Sequence, residues 1–514
     1  MSGESEEKSG PEAAQESFLN RAVRWFDGRI GLSYEFMRPA PAFTINPFYW
    51  LGALAVVAFA IQAVSGMLML LYYIPTPTQA YSSTLYIFQS VSYGRFLETV
   101  HLYTAYAMIM LAFMHLMRGY FVSVHKKPRE LMWVTGMLMG FVTLGFGFTG
   151  YLLPWTVISK SATDVGVGMM GALPQPFSSY ITFLVTGGGG DAATMLRFFE
   201  LHIVVLPAVL LLLLFAKMYM LESHGVSEPV LGPVPLPEKK RKLIPIFPNL
   251  SLYLLELAAL FGVAMLLISV AFPLTLPPQY TAALASQYTP QPDWYFLWIY
   301  QILKIKAFEG AGLPVALSVV TLIFILLVIL PFVDRGETRR IASRTIYVTL
   351  GLIFVTEIAV LTVWGYLTPG KVIPTEQAVL LLGGAALAVA LVSTAAYKVV
   401  FRGLTTRGTP TVGGEHAAAS ASRATRTLNR AMLWTSSSFV FILALGAFGI
   451  GGSISAAVQL VLQGANFSTL SSLGLGLSEL SLSVLSTIYL LYRLDLGTGS
   501  IKRRVRFLEI GWKS

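Results

Sequence analysis

Runs of about 20 predominantly apolar residues, each long enough to cross a hydrocarbon core of roughly 30 Å as a helix, recur along this sequence. Ten can be marked, at 48–73, 102–122, 131–153, 201–221, 251–273, 313–333, 346–367, 377–399, 431–452 and 474–493. Within lipid every backbone amide and carbonyl must find its partner inside the segment, and an α-helix does that alone. The fold class is therefore all-α, a polytopic transmembrane helical bundle of about 10 spans. Only 12% of the 514 residues are charged, about half the share in soluble domains.

The net charge of +10 invites a nucleic-acid reading, but the basic residues do not line one soluble face. They gather in alternate connections: His125, Lys126, Lys127 and Arg129 after span two, Lys239 to Lys242 after span four, Arg335, Arg339, Arg340 and Arg344 after span six. Arg402, Arg407, Arg423, Arg426 and Arg430 follow span eight, and Lys502, Arg503, Arg504 and Arg506 lie in the tail. This is the positive-inside pattern. It predicts a multi-pass protein of the cell membrane with both termini cytoplasmic, in contact with lipid and not with nucleic acid. Cysteine is absent, which excludes disulfides, cysteine-ligated iron–sulfur or zinc sites and thioether haem attachment to this chain.

Composition divides the chain further. Residues 1–45 read as a cytoplasmic tail and surface segment, polar and acidic at the start and without the apolar core of a signal peptide. A four-helix block follows at 46–230 and a second four-span block at 231–400. The basic linker 401–430, rich in Gly, Ala, Ser and Thr, precedes two additional spans in 431–514. Between spans five and six, residues 275–312 are too polar to cross and rich in Pro and aromatics; charge parity places them outside.

The run LHIVVLPAVLLLLLFAKMYM, Leu201 to Met220, carries a histidine near its start and a lysine near its end. An ionisable side chain at membrane depth costs about 2.5 to 3.5 kcal/mol, which makes it a functional candidate. Span two carries His101 and His115, fourteen residues apart, about four helical turns and about 21 Å of rise. At 100° per residue both rings share one face. Span four offers His202 and, fifteen residues on, Lys217. Two such helices facing each other would stack two ligand pairs, as bundles do for cofactors. Gly52 and Gly66 in span one, and Gly136 and Gly150 in span three, repeat the fourteen-residue period. Glycine lets a flat group approach the backbone; close helix contact is the plainer use of small residues in lipid.

YYIPTPTQAYSSTLYI, the paired histidines of VH and MHLMRGY, KKPRELMWVTG, GYLLPW, LRFFELH and QPDWYFLWIYQILK together resemble the cytochrome b family of quinol-oxidising bc and b6f complexes, most closely its split form. The resemblance runs from Asn46 to about Leu367. It implies two non-covalent haems, b-type or modified, in the first four spans: an outer one between His101 and His202, an inner one with His115 as first ligand. It implies quinol as substrate at an outer site roofed by the PDWY segment, where Asp293 would accept a proton and Tyr295 would stand beside it. A Rieske iron–sulfur protein as partner, further respiratory subunits and a homodimer also follow from it.

Two positions depart from the family. Lys217 stands where a fourth histidine is usual. Its amine either ligates the inner iron through a lone pair, the uncharged form being favoured by removal from water, or snorkels to the cytoplasmic headgroups. Glu98 stands where an arginine usually serves the outer haem propionates, which leaves Arg95 or Arg197 for that role, unless Arg197 only pairs with Glu200. Arg118 matches the inner-propionate position. The glycine run Gly187 to Gly190 lacks the lysine and flanking strand of a phosphate loop and reads as an outer turn. Two rival readings stay open: a haem-bearing subunit feeding a terminal quinol oxidase in a supercomplex, and a transporter or structural subunit without redox chemistry.

Overall fold

The computed structural model describes residues 25, 28, 29, 39–227, 243–289, 291–336, 339 and 344–405. Most of the N-terminal tail, the basic linker beyond Thr405 and the last two expected spans lie outside the described residues. The remaining eight spans are present as helices.

The chain clusters into two compact units. In the smaller one, β1 (Pro39–Pro41) pairs antiparallel with β2 (Leu243–Pro245), with Ala40 opposite Ile244. Asn46 then caps a short turn by accepting from the Phe48 amide at 3.1 Å. This unit also holds the start of α9 as far as Leu260.

The larger unit carries the spans that matter for function. α1 (Leu51–Leu70) leads through the outer helix α2 (Ala80–Gln89) to α3 (Gly94–Phe121), the longest of the first block, and then to α4 (Glu130–Leu152). Three short helices follow: α5 (Val157–Gly171), α6 (Phe177–Thr186) and α7 (Gly190–Glu200). Span four begins earlier than its apolar run suggests, because α7, one wide turn at Leu201–Val205 and α8 (Leu206–His224) form a continuous helix. Proline at 207 explains the wide turn: it has no amide proton to give the carbonyl four residues back, so the ladder opens locally. The turn expected at Gly187 to Gly190 is present, and three of its four glycines take positive φ (68°, 70° and 73°), where a Cβ would be strained.

α9 (Ser251–Ala271) is followed by the one-turn α10 (Ala282–Ala285) and by α11 (Trp294–Leu303), a short amphipathic helix that does not span. α12 (Leu313–Val333), α13 (Thr345–Leu367) and α14 (Thr375–Thr405) complete the described spans. The main apolar core joins α3, α4, α11, α12 and α13 through residues such as Met110, Trp133, Trp298, Val320 and Leu361. On the basic side, Asp334 seals these helix ends: it accepts from His125 Nε2 at 2.8 Å, from Lys126 Nζ at 2.9 Å and from Arg344. Hydrogen bonds from Lys126 and His125 and the Arg344 charge hold the Asp334 carboxyl below its ordinary range against its own burial, while burial pushes His125 down to about 4.

Candidate functional site

α3 presents His101 and His115 four turns apart, and the wide turn before α8 presents His202 toward the first of them. The His101 and His202 rings stand with centroids 6.3 Å apart and planes at 62°. Two imidazoles that each put a nitrogen about 2 Å from one metal ion would have centroids roughly 6 Å apart. The pair is spaced for a shared metal.

Their hydrogen bonds select the ligating nitrogen. Ser65 Oγ lies 2.8 Å from His101 Nδ1 and gives its own proton to the Ile61 carbonyl at 2.7 Å. The hydroxyl therefore accepts from Nδ1–H, which leaves the Nε2 lone pair free. On the facing side Thr149 Oγ1, 3.2 Å from His202 Nδ1, donates to the Gly145 carbonyl at 2.8 Å. The same logic frees Nε2 of His202. Gln62 further ties the His101 carbonyl.

The four glycines sit at the rings and at the lysine. A Cβ on Gly66 would meet His101 Cε1 at 3.3 Å, and one on Gly150 would meet His202 Cε1 at 2.5 Å. At the other level, a Cβ on Gly52 would meet His115 Cε1 at 3.1 Å and one on Gly136 would meet Lys217 Nζ at 2.8 Å. Lys217 thus holds toward Gly136 the position that His202 holds toward Gly150. The fourteen-residue period is a stacking period: each glycine lies against one member of a ligand pair.

The inner level lacks the hydroxyl support of the outer one. His115 Nδ1 is buried without a hydrogen-bond partner, since Leu51 precedes Gly52 where Ser65 precedes Gly66. Lys217 and Arg118 are its charged neighbours. A polar nitrogen left bare at this depth is costly and marks a place designed for a group larger than the chain itself. The residues therefore fit a flat metal-bearing macrocycle at both levels, with two imidazoles outside and an imidazole facing an amine inside.

Other expected contacts are distributed differently. Arg197 is half exposed and pairs with Glu200 at 3.5 Å. Arg95 gives its Nε to the Leu274 carbonyl at 2.5 Å. His224 ends α8, with its ring nitrogen 2.9 Å from the Met220 carbonyl, so it finishes the helix well beyond the inner pair.

Asp293 sits at the N-terminal boundary of α11, half-buried among phenols. Tyr295 donates to Asp293 Oδ2 at 3.4 Å, and Tyr106 of α3 donates to the same carboxylate. Burial pushes the Asp293 carboxyl up to about 6, against the two phenols, which pull it down. It is thereby poised between acid and base near neutral pH. Gly147 makes room for Tyr295, whose hydroxyl would lie 2.9 Å from a Cβ placed there. The Tyr106 ring stands 6.1 Å from that of Tyr295, so the pocket joins α3, α4 and α11.

Ser65, Thr149, Tyr106 and Gly147 are absent from the sequence-based set. For the first two a signal was available: each hydroxyl residue immediately precedes a glycine of the fourteen-residue series, as Ser65–Gly66 and Thr149–Gly150. Tyr106 and Gly147 carry no local mark.

Residues 106–282 match the family model for cytochrome b (N-terminal)/b6/petB, and residues 286–383 that for cytochrome b (C-terminal)/b6/petD. The cytochrome bc complex cytochrome b subunit of Chlorobaculum thiosulfatiphilum is 32% identical over 360 residues, which is 68% of this chain and 82% of that protein. Cytochrome b6 of Heliobacterium mobile is 39% identical over 193 residues, 37% of this chain and 90% of that one. A solved chain of a hyperthermophilic respiratory Complex III superposes with a TM-score of 0.59 at 25% identity, covering 73% of this chain and 96% of that chain.

Proposed function

The chain belongs to the cytochrome b family, and from that premise we propose that it is the quinol-oxidising subunit of a bc-type membrane complex, with two haems stacked in its first four spans. His101 and His202 would hold the outer haem, and His115 and Lys217 the inner one, with Gly52, Gly66, Gly136 and Gly150 giving the room and Arg118 serving an inner propionate. Arg197 is the remaining candidate for an outer propionate, after release from Glu200. When bound, the haems supply one-electron redox centres at two depths, the chemistry needed to carry quinol-derived electrons across the membrane.

Asp293 takes the proton from a quinol hydroxyl at the outer face, and Tyr295 orients the carboxylate. Of the two electrons that a quinol gives up, one would leave to a Rieske iron–sulfur partner and the other would cross the membrane to reduce a quinone near the cytoplasm, while both protons leave on the outer side, one of them by way of Asp293. Residues 46–230 serve as the haem domain and 231–400 as the domain completing the quinol pocket. The 401–430 linker and residues 431–514 serve contacts to further subunits, within a homodimeric assembly in the cell membrane. The observation that carries this reading is the matched arrangement of His101 and His202, 6.3 Å apart, each with its Nδ1 hydrogen-bonded and each against a glycine.

Rapid mixing of the purified complex with quinol tests it. The wild type should reduce its haem, and Asp293→Asn should do so roughly 100-fold more slowly with an unchanged haem spectrum. An unaltered rate in Asp293→Asn would remove the quinol site from this pocket.

A further inference from the structure

Near the middle of α13, far from the ligand pairs in sequence, stands Glu357. It is the sole acidic residue of a 23-residue span of mean hydropathy 2.2. Both carboxylate oxygens are sealed from solvent, and neither has a hydrogen-bond partner among the described residues.

Its surroundings follow from how α13 is packed. Gly351 lies against Tyr120 and Phe121 of α3, Gly365 lies against Leu297 of α11, and Thr349 hydrogen-bonds Ser393 of α14 at 2.9 Å. At 100° per residue, Glu357 lies between the α11 side and the α14 side, on the same stripe as Trp364 and Thr368. Trp364 packs with Ile305, Ile373 and Ala378, and Thr368 accepts from Gln301 at 3.2 Å. At the depth of Glu357 its neighbours bring no counter-charge. Residues 102–114 of α3, all of α11 and residues 377–397 of α14 contain no Asp, Glu, Lys, Arg or His. Lys304 and Arg344, at opposite ends of the span, are committed to the Thr368 carbonyl and to Asp334.

An ionised carboxylate without partner or water is far too costly to keep, whereas the same group carrying its proton loses only an unmade hydrogen bond. We propose that Glu357 is a proton-binding site at mid-membrane depth, kept as the neutral carboxylic acid at neutral pH. The site is separate from the Asp293 pocket and binds a proton whether or not that pocket oxidises quinol.

Infrared spectra of the full complex in lipid bilayers at pH 7, with 13C-carboxyl-labelled glutamate, read the state directly as wild type minus Glu357→Gln. A single free-acid carbonyl band that shifts down in D2O is expected, and Glu357→Asp, prepared without the labelled glutamate shift, should keep an acid band at a new position. The symmetric and antisymmetric pair of an ionised carboxylate would overturn the proposal, as would an acid band that persists unchanged in Glu357→Gln. If Glu357→Gln fails to accumulate, wild type minus Glu357→Asp decides between the same two signatures.

Discussion

The outer and inner ligand levels share one glycine period and differ in what steadies the ligands. At the outer level two imidazoles face each other, and each Nδ1 is held by a hydroxyl that has already spent its own proton on a helix carbonyl. At the inner level the imidazole has a bare Nδ1, and the residue opposite the second glycine is the flexible Lys217. The difference teaches that the cradle and the ligand are separately encoded. Helix spacing creates the room, and neighbouring hydroxyls decide how rigidly the room is furnished.

The sharpest way to break the comparison is to remove a ligand at one level only. His202→Ala should eliminate the outer haem and with it quinol-driven turnover, leaving the inner haem's spectrum in place; loss of both spectra together would mean the levels are not independent. Next come the glycines. Gly150→Ala drives a methyl group to 2.5 Å from a rigid imidazole, whereas Gly136→Ala meets only the tip of a lysine chain at 2.8 Å. Haem content should therefore fall much further in the first variant, by a clash of about 1–3 kcal/mol, and equal losses would contradict the asymmetry.

Hydroxyl removal should act more mildly. Ser65→Ala or Thr149→Ala frees an imidazole to rotate, an effect of roughly 10- to 100-fold on metal affinity or activity where a group that hydrogen-bonds a ligating histidine is removed. Redox titration should show the outer haem's potential moving while the inner one stays. Smallest in rate but most informative at the inner level, Lys217→His and Lys217→Met should each change the inner haem spectrum alone. No change in either would show that the amine does not touch iron.

The pH dependence separates the pocket from the ligand pairs. With its carboxyl pushed up to about 6, Asp293 is protonated below that value and cannot accept a proton, so quinol oxidation should rise as pH increases through about 6. At the basic-side clasp, His125 is held down to about 4, against roughly 6.5 when unfolded. The unfolded state binds the extra proton first, so thermal stability should fall as pH drops from about 6.5 toward 4. His125→Gln should flatten that fall.

Much of this architecture was legible in the sequence because lipid permits so few solutions. Apolar length located the eight described spans, and the register of His101, His115, His202, Lys217 and the four glycines predicted two levels at which the structure sets these side chains against the glycines. The missing parts are those that local pattern does not carry. Tyr106 is one aromatic among many in span two, and only the return of α11 from far along the chain shows that it meets Asp293. Arg197 looked equally able to serve a propionate or a neighbour, and its exposed pairing with Glu200 depends on α7 projecting beyond the apolar run.

The most direct test is the haem content of the purified chain by pyridine haemochrome assay against protein mass. Two haems per chain are expected, one lost in His202→Ala and the other retained. A single haem per wild-type chain would contradict the stacked pair, and with it the route for electrons across the membrane.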